Sequence, residues 1–229
     1  MTKKTFYTEI AYVLGLSVLA LGTAFMEAAD FGVSMVVAPA YLIYRWLSPI
    51  YPFFTFGMAE YILQAFLLVG MTLVLRKFKT SYLFSFITAL IYGFLLDRAM
   101  ALVALVPLNH FATLVAFYIL GLLLCSMGVS LLFHSYISPE AYELFVKEVS
   151  AQHNIGIHKF KTYYDCISCI VGIALSFAFF GLWNFEGVKP GTIVCALVNG
   201  FIIGRFTRLF ETHYNFIDGM TLRKYFAIQ

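Results

Sequence analysis

Charge is what this chain has least of. Aspartate, glutamate, lysine and arginine together make up 12% of its 229 residues, roughly half the share of an ordinary soluble domain. Apolar residues make up 62%, and the mean hydropathy is +0.87. Too few polar side chains exist to coat a water-facing surface, so a soluble globular fold is excluded and most of the exterior must face lipid. Other absences narrow the function. No GxxxxGK[ST] run occurs, so the chain does not hydrolyse ATP itself. No HExxH or GxSxG is present. The basic residues are scattered among loops and helix ends and form no dense patch, which argues against nucleic acid as a partner. The four cysteines, Cys125, Cys166, Cys169 and Cys195, all fall in apolar runs. Cys166 and Cys169 have CxxC spacing, but a zinc site needs four ligands and a redox pair needs solvent, so they read as packing residues and no cofactor is implied.

What is there is a set of apolar runs near the length of a membrane helix. Six spans are expected, at Ile10–Ala29, Phe54–Leu75, Ser81–Leu96 (with Ala99–Val106 continuing past Asp97-Arg98), Ala112–Phe133, Thr162–Trp183 and Thr192–Phe210. Two shorter or more polar stretches, Gly32–Trp46 and Pro139–Gln152, are expected to form short helices, the second opened by its proline. The first run has a basic start at Lys3-Lys4 but no clear cleavage site, so it reads as a retained helix. With the N-terminus in the cytoplasm, twelve basic residues, among them Arg76, Lys77, Lys79, Lys147, Lys159, Lys161 and Lys224, fall inside or at the inner edge. Only Arg45, Arg98 and Lys189 fall outside, so the bias fixes both termini as cytoplasmic.

The chain also repeats itself. ALIYGFLLDR at Ala89 and ALVNGFIIGR at Ala196 lie 107 positions apart. Leu21-Gly22 corresponds to Met127-Gly128, and Glu60 to Asp165. The chain divides near Asn109 into a first repeat, 1–109, and a second, 110–210, followed by an interfacial tail, 211–229. Three crossings per repeat is an odd number, so the second copy must enter the membrane from the opposite side. The expected fold is thus an all-α membrane protein of six spans and two short helices in two inverted-topology repeats, a plan many secondary transporters use.

The stretch LALGTAFMEAADFGVSMVVAPAYLI followed by FTFGMAEYILQAFLLVG, with its turn Asp30-Phe31-Gly32-Val33-Ser34, resembles the bacterial YczE/YyaS/YitT group of small membrane proteins. MGVSLLFHSYISPEAYELFVKEVSAQHNIGIHKFKTYYD resembles that group's second copy, with its acidic residue at Asp165. Met35 stands where the group's pattern has proline, and Glu140 and Glu143 lie on a helix that varies within the group. The resemblance spans most of residues 10–210. It implies a six-span integral protein of the bacterial cytoplasmic membrane and supplies no substrate.

Ionisable groups at bilayer depth cost several kcal/mol unless partnered, so they mark function first. Glu60 and Asp165 lie several residues into corresponding spans and are the leading candidates for binding a polar or cationic group or carrying a coupling proton. Capping a helix or pairing with a nearby base would explain them equally well. Gln64 shares a helical face with Glu60. Asp30, Ser34, His134 and Ser138 occupy the two breaks before the short helices, where backbone groups come free for a ligand and where N-capping is the plainer explanation. Asn199, facing Tyr92 across the repeat, either lines the site or ties helices together. The function expected is a small secondary transporter for a polar small molecule, alternating access between its halves, with protons as candidate coupling ion and an attached homodimer compatible with the sequence. The alternatives are a membrane ligand sensor or assembly partner and, last, an intramembrane enzyme; the chain is read as no enzyme.

Overall fold

The computed structural model describes residues 3–76, 78, 79, 81–107, 110–221 and 223, with only the backbone of Ser81 and His158. Lys77, Lys224, the boundary near Asn109 and the last residues of the tail lie outside the described residues. In chain order the elements are β1 (Lys4–Tyr7), α1 (Thr8–Ala29), α2 (Ala38–Leu47), α3 (Phe56–Leu75), α4 (Ser81–Val103), α5 (Phe111–Phe133), α6 (Ala141–Gln152), α7 (Ile157–Phe180), α8 (Pro190–His213) and β2 (Tyr214–Ile217). Six of the helices are long and apolar enough to cross a membrane. Their polarity runs inside out. Phe66 and Leu73 are 71% and 72% exposed, whereas Glu60, Gln64, Ser85, Ser126, Ser130 and Asp165 are fully buried. That distribution suits lipid as the solvent. The chain is an all-α, multi-pass membrane protein.

The centre of the bundle is the crossing of α1 and α5. A Cβ on Gly15 would sit 3.0 Å from the Gly128 carbonyl oxygen, and one on Gly22 would sit 2.8 Å from that of Gly121. Small residues at both levels let the two backbones touch, the usual way membrane helices gain close packing. As α1 advances from Gly15 to Gly22, α5 recedes from Gly128 to Gly121, so the pair is antiparallel. Hydroxyl contacts set the remaining directions. Tyr12 meets Thr88 and Thr23 meets Tyr92, so α1 and α4 run the same way. Tyr118 meets the Gly191 carbonyl, Ser126 meets Asn199 and Ser130 meets Thr207, so α5 and α8 run together the other way. Packing is matched between halves. α1 packs on α4 as α5 packs on α8, α3 on α4 as α7 on α8, α2 on α3 as α6 on α7, and α2 on α7 as α6 on α3.

Both short helices point inwards. The Ala141 amide at the start of α6 donates to Gln64, the ninth of the twenty residues of α3. At its other end Glu148 pairs with Lys79 in the α3–α4 turn. So α6 runs from mid-bundle to the face that holds the termini. In α2, Ala38 packs near Gly172 of α7, while Arg45 pairs at 2.8 Å with Glu186 of the α7–α8 connection. Thus α2 runs from the interior to the opposite face.

Several boundaries differ from expectation. α4 continues through Asp97-Arg98 to Val103 because Asp97 accepts the Gly57 amide at 3.0 Å and Arg98 lies over the Phe94 ring. α2 starts at Ala38 rather than Gly32, since residues 30–37 form the entering loop, with Gly32 at φ +107°. α6 begins at Ala141 and α7 at Ile157, ending at Phe180 where Gly181 and Trp183 adopt positive φ. The tail is no simple surface segment. β2 pairs in parallel with β1, Phe6 beside Phe216, joining both ends of the described chain in one short ribbon.

Candidate functional site

The two inward loops and the α1–α5 crossing enclose a narrow cavity. It is about 20 Å³ in the space where a water centre can move, enough for a single water. Its wall includes Thr23, Ser34, Tyr92, Cys125, Glu140, Tyr142, Glu143, Lys161 and Asn199. The two halves contribute matched residues. Tyr92 on α4 hydrogen-bonds Thr23 of α1 at 3.0 Å, and Asn199 on α8 accepts from Ser126 of α5 at 2.8 Å.

Around the cavity lie five charged side chains, and they are the five buried charges among the described residues: Glu60, Glu140, Glu143, Lys161 and Asp165, none more than 2% exposed. They form two groups. In the first, the Lys161 ammonium lies 3.1 Å from Glu143 Oε1 and 3.1 Å from Asp165 Oδ1. Asp165 Oδ2 accepts the Asn199 amide at 3.3 Å. Lys161 and Asp165 are one helical turn apart on α7, the spacing at which side chains meet. In the second group, Glu60 Oε2 accepts from the Tyr142 hydroxyl at 3.0 Å and from Gln64 Nε2 at 3.1 Å, while Gln64 Oε1 accepts the Ala141 amide. This ties the start of α6 to the middle of α3 and holds Glu140 against the cavity. Ser85 and Thr88 of α4 complete the clamp by donating to the Pro139 and Ser138 carbonyls.

The bookkeeping of charge does not close. Four carboxylates face one ammonium, and that ammonium is engaged by Glu143 and Asp165. Glu60 Oε1, Glu140 Oε1 and Ser138 Oγ are buried with no hydrogen-bond partner.

The predicted residues divide accordingly. Glu60, Gln64, Asp165 and Asn199 belong to the network, Ser34 lines the cavity and Ser138 sits in the loop entering α6. Asp30 and His134 do not reach it. Asp30 adopts φ 56° at the end of α1 and pairs at 2.6 Å with Lys189. His134 bonds the Ser130 carbonyl and stacks on Phe216 of the terminal ribbon. Lys161, placed from sequence at the membrane's inner edge, is instead 1% exposed and inside the cluster. Glu140, Glu143, Tyr92 and Tyr142 were not among the predicted site residues. The spacing of Glu140 and Glu143 along one face of a short helix, in so poorly charged a chain, was the available signal.

Fold and site together define a multi-pass helical membrane protein with a charged, buried centre shared by its two halves. The chain belongs to a family of unknown function, DUF6198, whose model matches residues 6–208. Neither the curated proteins nor the solved structures hold a match to it.

Proposed function

We propose that this protein is a small secondary transporter for a polar small molecule, working by alternating access between two inverted repeats in the bacterial cytoplasmic membrane, with both termini inside. One observation carries the reading: of the five buried charges, Glu140, Glu143 and Lys161 line a cavity between the two inward loops, and Glu60 and Asp165 are bonded to residues of its wall. A group held only for stability would not need so costly a cluster at that depth. Support for inverted repeats comes from the matched packing of the halves, from the paired contacts of Tyr92 and Asn199, and from the opposed directions of α1 and α5. The half-helices α2 and α6 each begin at the cavity, as the broken helices of transporters do. Protons are the candidate coupling ion, carried by the carboxylates. The likeness to the YczE/YyaS/YitT group rests on the sequence motifs alone.

The test is uptake into proteoliposomes of radiolabelled amino acids, amines and vitamins under imposed pH and voltage gradients. Uptake above protein-free vesicles, reduced in Glu60→Gln and Asp165→Asn, is the expected result. Binding by thermal shift with no uptake in either gradient direction would make the protein a sensor. The clustered carboxylates also suit an intramembrane enzyme, and conversion of the added compound in the same vesicles would identify one.

A further inference from the structure

We propose that the cargo is a small organic cation bearing N–H donors, and that Glu140 is the carboxylate that receives it. This rests on reading the cavity as the transport site. Lys161 is spent on Glu143 and Asp165, and among the described residues no base pairs with Glu60 or Glu140. Of those two, Glu140 lines the cavity, and its Oε1 is buried without a hydrogen-bond partner. What the site lacks is therefore donors and positive charge, and a donor-bearing cation supplies both.

The remaining wall fits such a guest. The rings of Tyr92 and Tyr142 border the same space, and aromatic faces attract cations. Part of the anion-attracting capacity of the two helix starts is already used. In α2 the Val37 and Ala38 amides return to the Ser34 carbonyl. In α6 the first amide is taken by Gln64, and the capping residue is Glu140 itself. The cavity as it stands has room for a single water, so a guest of several heavy atoms is admitted only when the helices part. Glu60 takes a different role. By holding the Tyr142 hydroxyl it positions the start of α6, and it does not touch the guest.

Guanidinium, which stays charged at all working pH values, is the probe. The purified full chain in nanodiscs is titrated calorimetrically with guanidinium, tetramethylammonium, glycine and acetate, each at constant ionic strength. Guanidinium should bind, tetramethylammonium more weakly for want of donors, and acetate not at all. Glu140→Gln should weaken guanidinium about tenfold or more while unfolding at the same or a higher temperature, so that lost binding is not lost folding. Glu140→Asp, which keeps the charge on a shorter arm, should retain part of the affinity. No guanidinium binding to the wild type, or unchanged binding in Glu140→Gln, overturns the proposal. Guanidinium binding without its uptake in vesicles keeps the cation site and removes the transporter. Glycine or acetate uptake without guanidinium binding does the reverse.

Discussion

Replacing Lys161 with methionine tests whether the charged cluster is truly sealed from water. The ammonium is 1% exposed, lies 3.1 Å from both Glu143 and Asp165, and sits 5.6 Å over the Tyr164 ring. Methionine keeps most of the volume and removes the charge. Two carboxylates are then left facing each other with the Asn199 amide as the remaining donor to Asp165. Breaking a buried ion pair from one side costs about 3–5 kcal/mol, because the survivor's charge is uncompensated. That is roughly 10²- to 10⁴-fold in the folding equilibrium. Proton uptake by Asp165 or Glu143 caps the loss, so the lower figure is the firmer one. The assay is reversible unfolding by SDS in mixed micelles, followed by circular dichroism. The triple variant Lys161→Met, Glu143→Gln, Asp165→Asn should recover most of the loss, since neutral groups of like shape often match or exceed a buried ion pair. A single variant within about 1 kcal/mol of wild type, the range of exposed ion pairs, would refute the reasoning. It would mean that water reaches the cluster.

Four further outcomes are expected. Gly22→Ala places a Cβ 2.7 Å from the Cys125 amide nitrogen and 2.8 Å from the Gly121 carbonyl; neither backbone can yield, so the same SDS titration should show a loss of about 1–3 kcal/mol or more. Gly70→Ala, with nothing within 4 Å, should be neutral or gain up to about 1 kcal/mol from helix propensity. Cysteines at Arg76 and Lys159, both exposed at the helix ends beside the termini, should react with an impermeant maleimide from one side of the membrane. A cysteine at Trp183, 82% exposed in the α7–α8 connection, should react from the other. Arg76 and Lys159 on different sides would dissolve the six-span topology. Finally, the Glu9 carboxylate accepts from the Gly219 and Met220 amides and from Tyr136. Glu9→Gln should free the segment after β2, seen as faster tryptic cleavage at Arg223 with no change in the bundle's unfolding.

Much of the architecture could be read in the residues. Six apolar runs became six helices, because runs of about twenty apolar residues have one stable form in lipid. Tyr92 and Asn199 of the repeated segments both line the cavity, whereas Gly93 packs against Tyr61 and the Gly57 carbonyl of α3. What could not be read was the depth of short polar segments. Pro139–Gln152 carries Glu140, Glu143, Lys147, Glu148, Ser150 and Gln152 and looks suited to an interface. Its depth is fixed by Gln64, Ser85 and Thr88, three side chains on two other helices. Lys161 failed for the same reason. Counting basic residues assigns a lysine at a helix start to the aqueous edge, whereas Asp165 on the same helix and Glu143 arriving from α6 together compensate its burial. Asp30 and His134 failed oppositely: each stood at a break, but its local partners, Lys189 and the Ser130 carbonyl, satisfy it away from the cavity.

Glu60 and Asp165 correspond in sequence, yet the structure gives them unlike surroundings, and the difference bears on how such a site could turn over. Asp165 shares with Glu143 a lysine from its own helix, so its half of the cluster already holds a cation. Glu60 is met by hydroxyl and amide groups, so its half, with Glu140 beside it, must take a proton or a guest to become neutral. In a true two-fold arrangement both halves would compete for the same cation. On the proposed function, Lys161 occupies one side as a tethered occupant and leaves the other to exchange. In the proposed cycle, separating α6 from α3 would break the Tyr142–Glu60 and Ala141–Gln64 contacts while leaving Lys161 with Asp165 on α7. The α6–α3 contact is therefore the joint at which opening would release whatever neutralises Glu140.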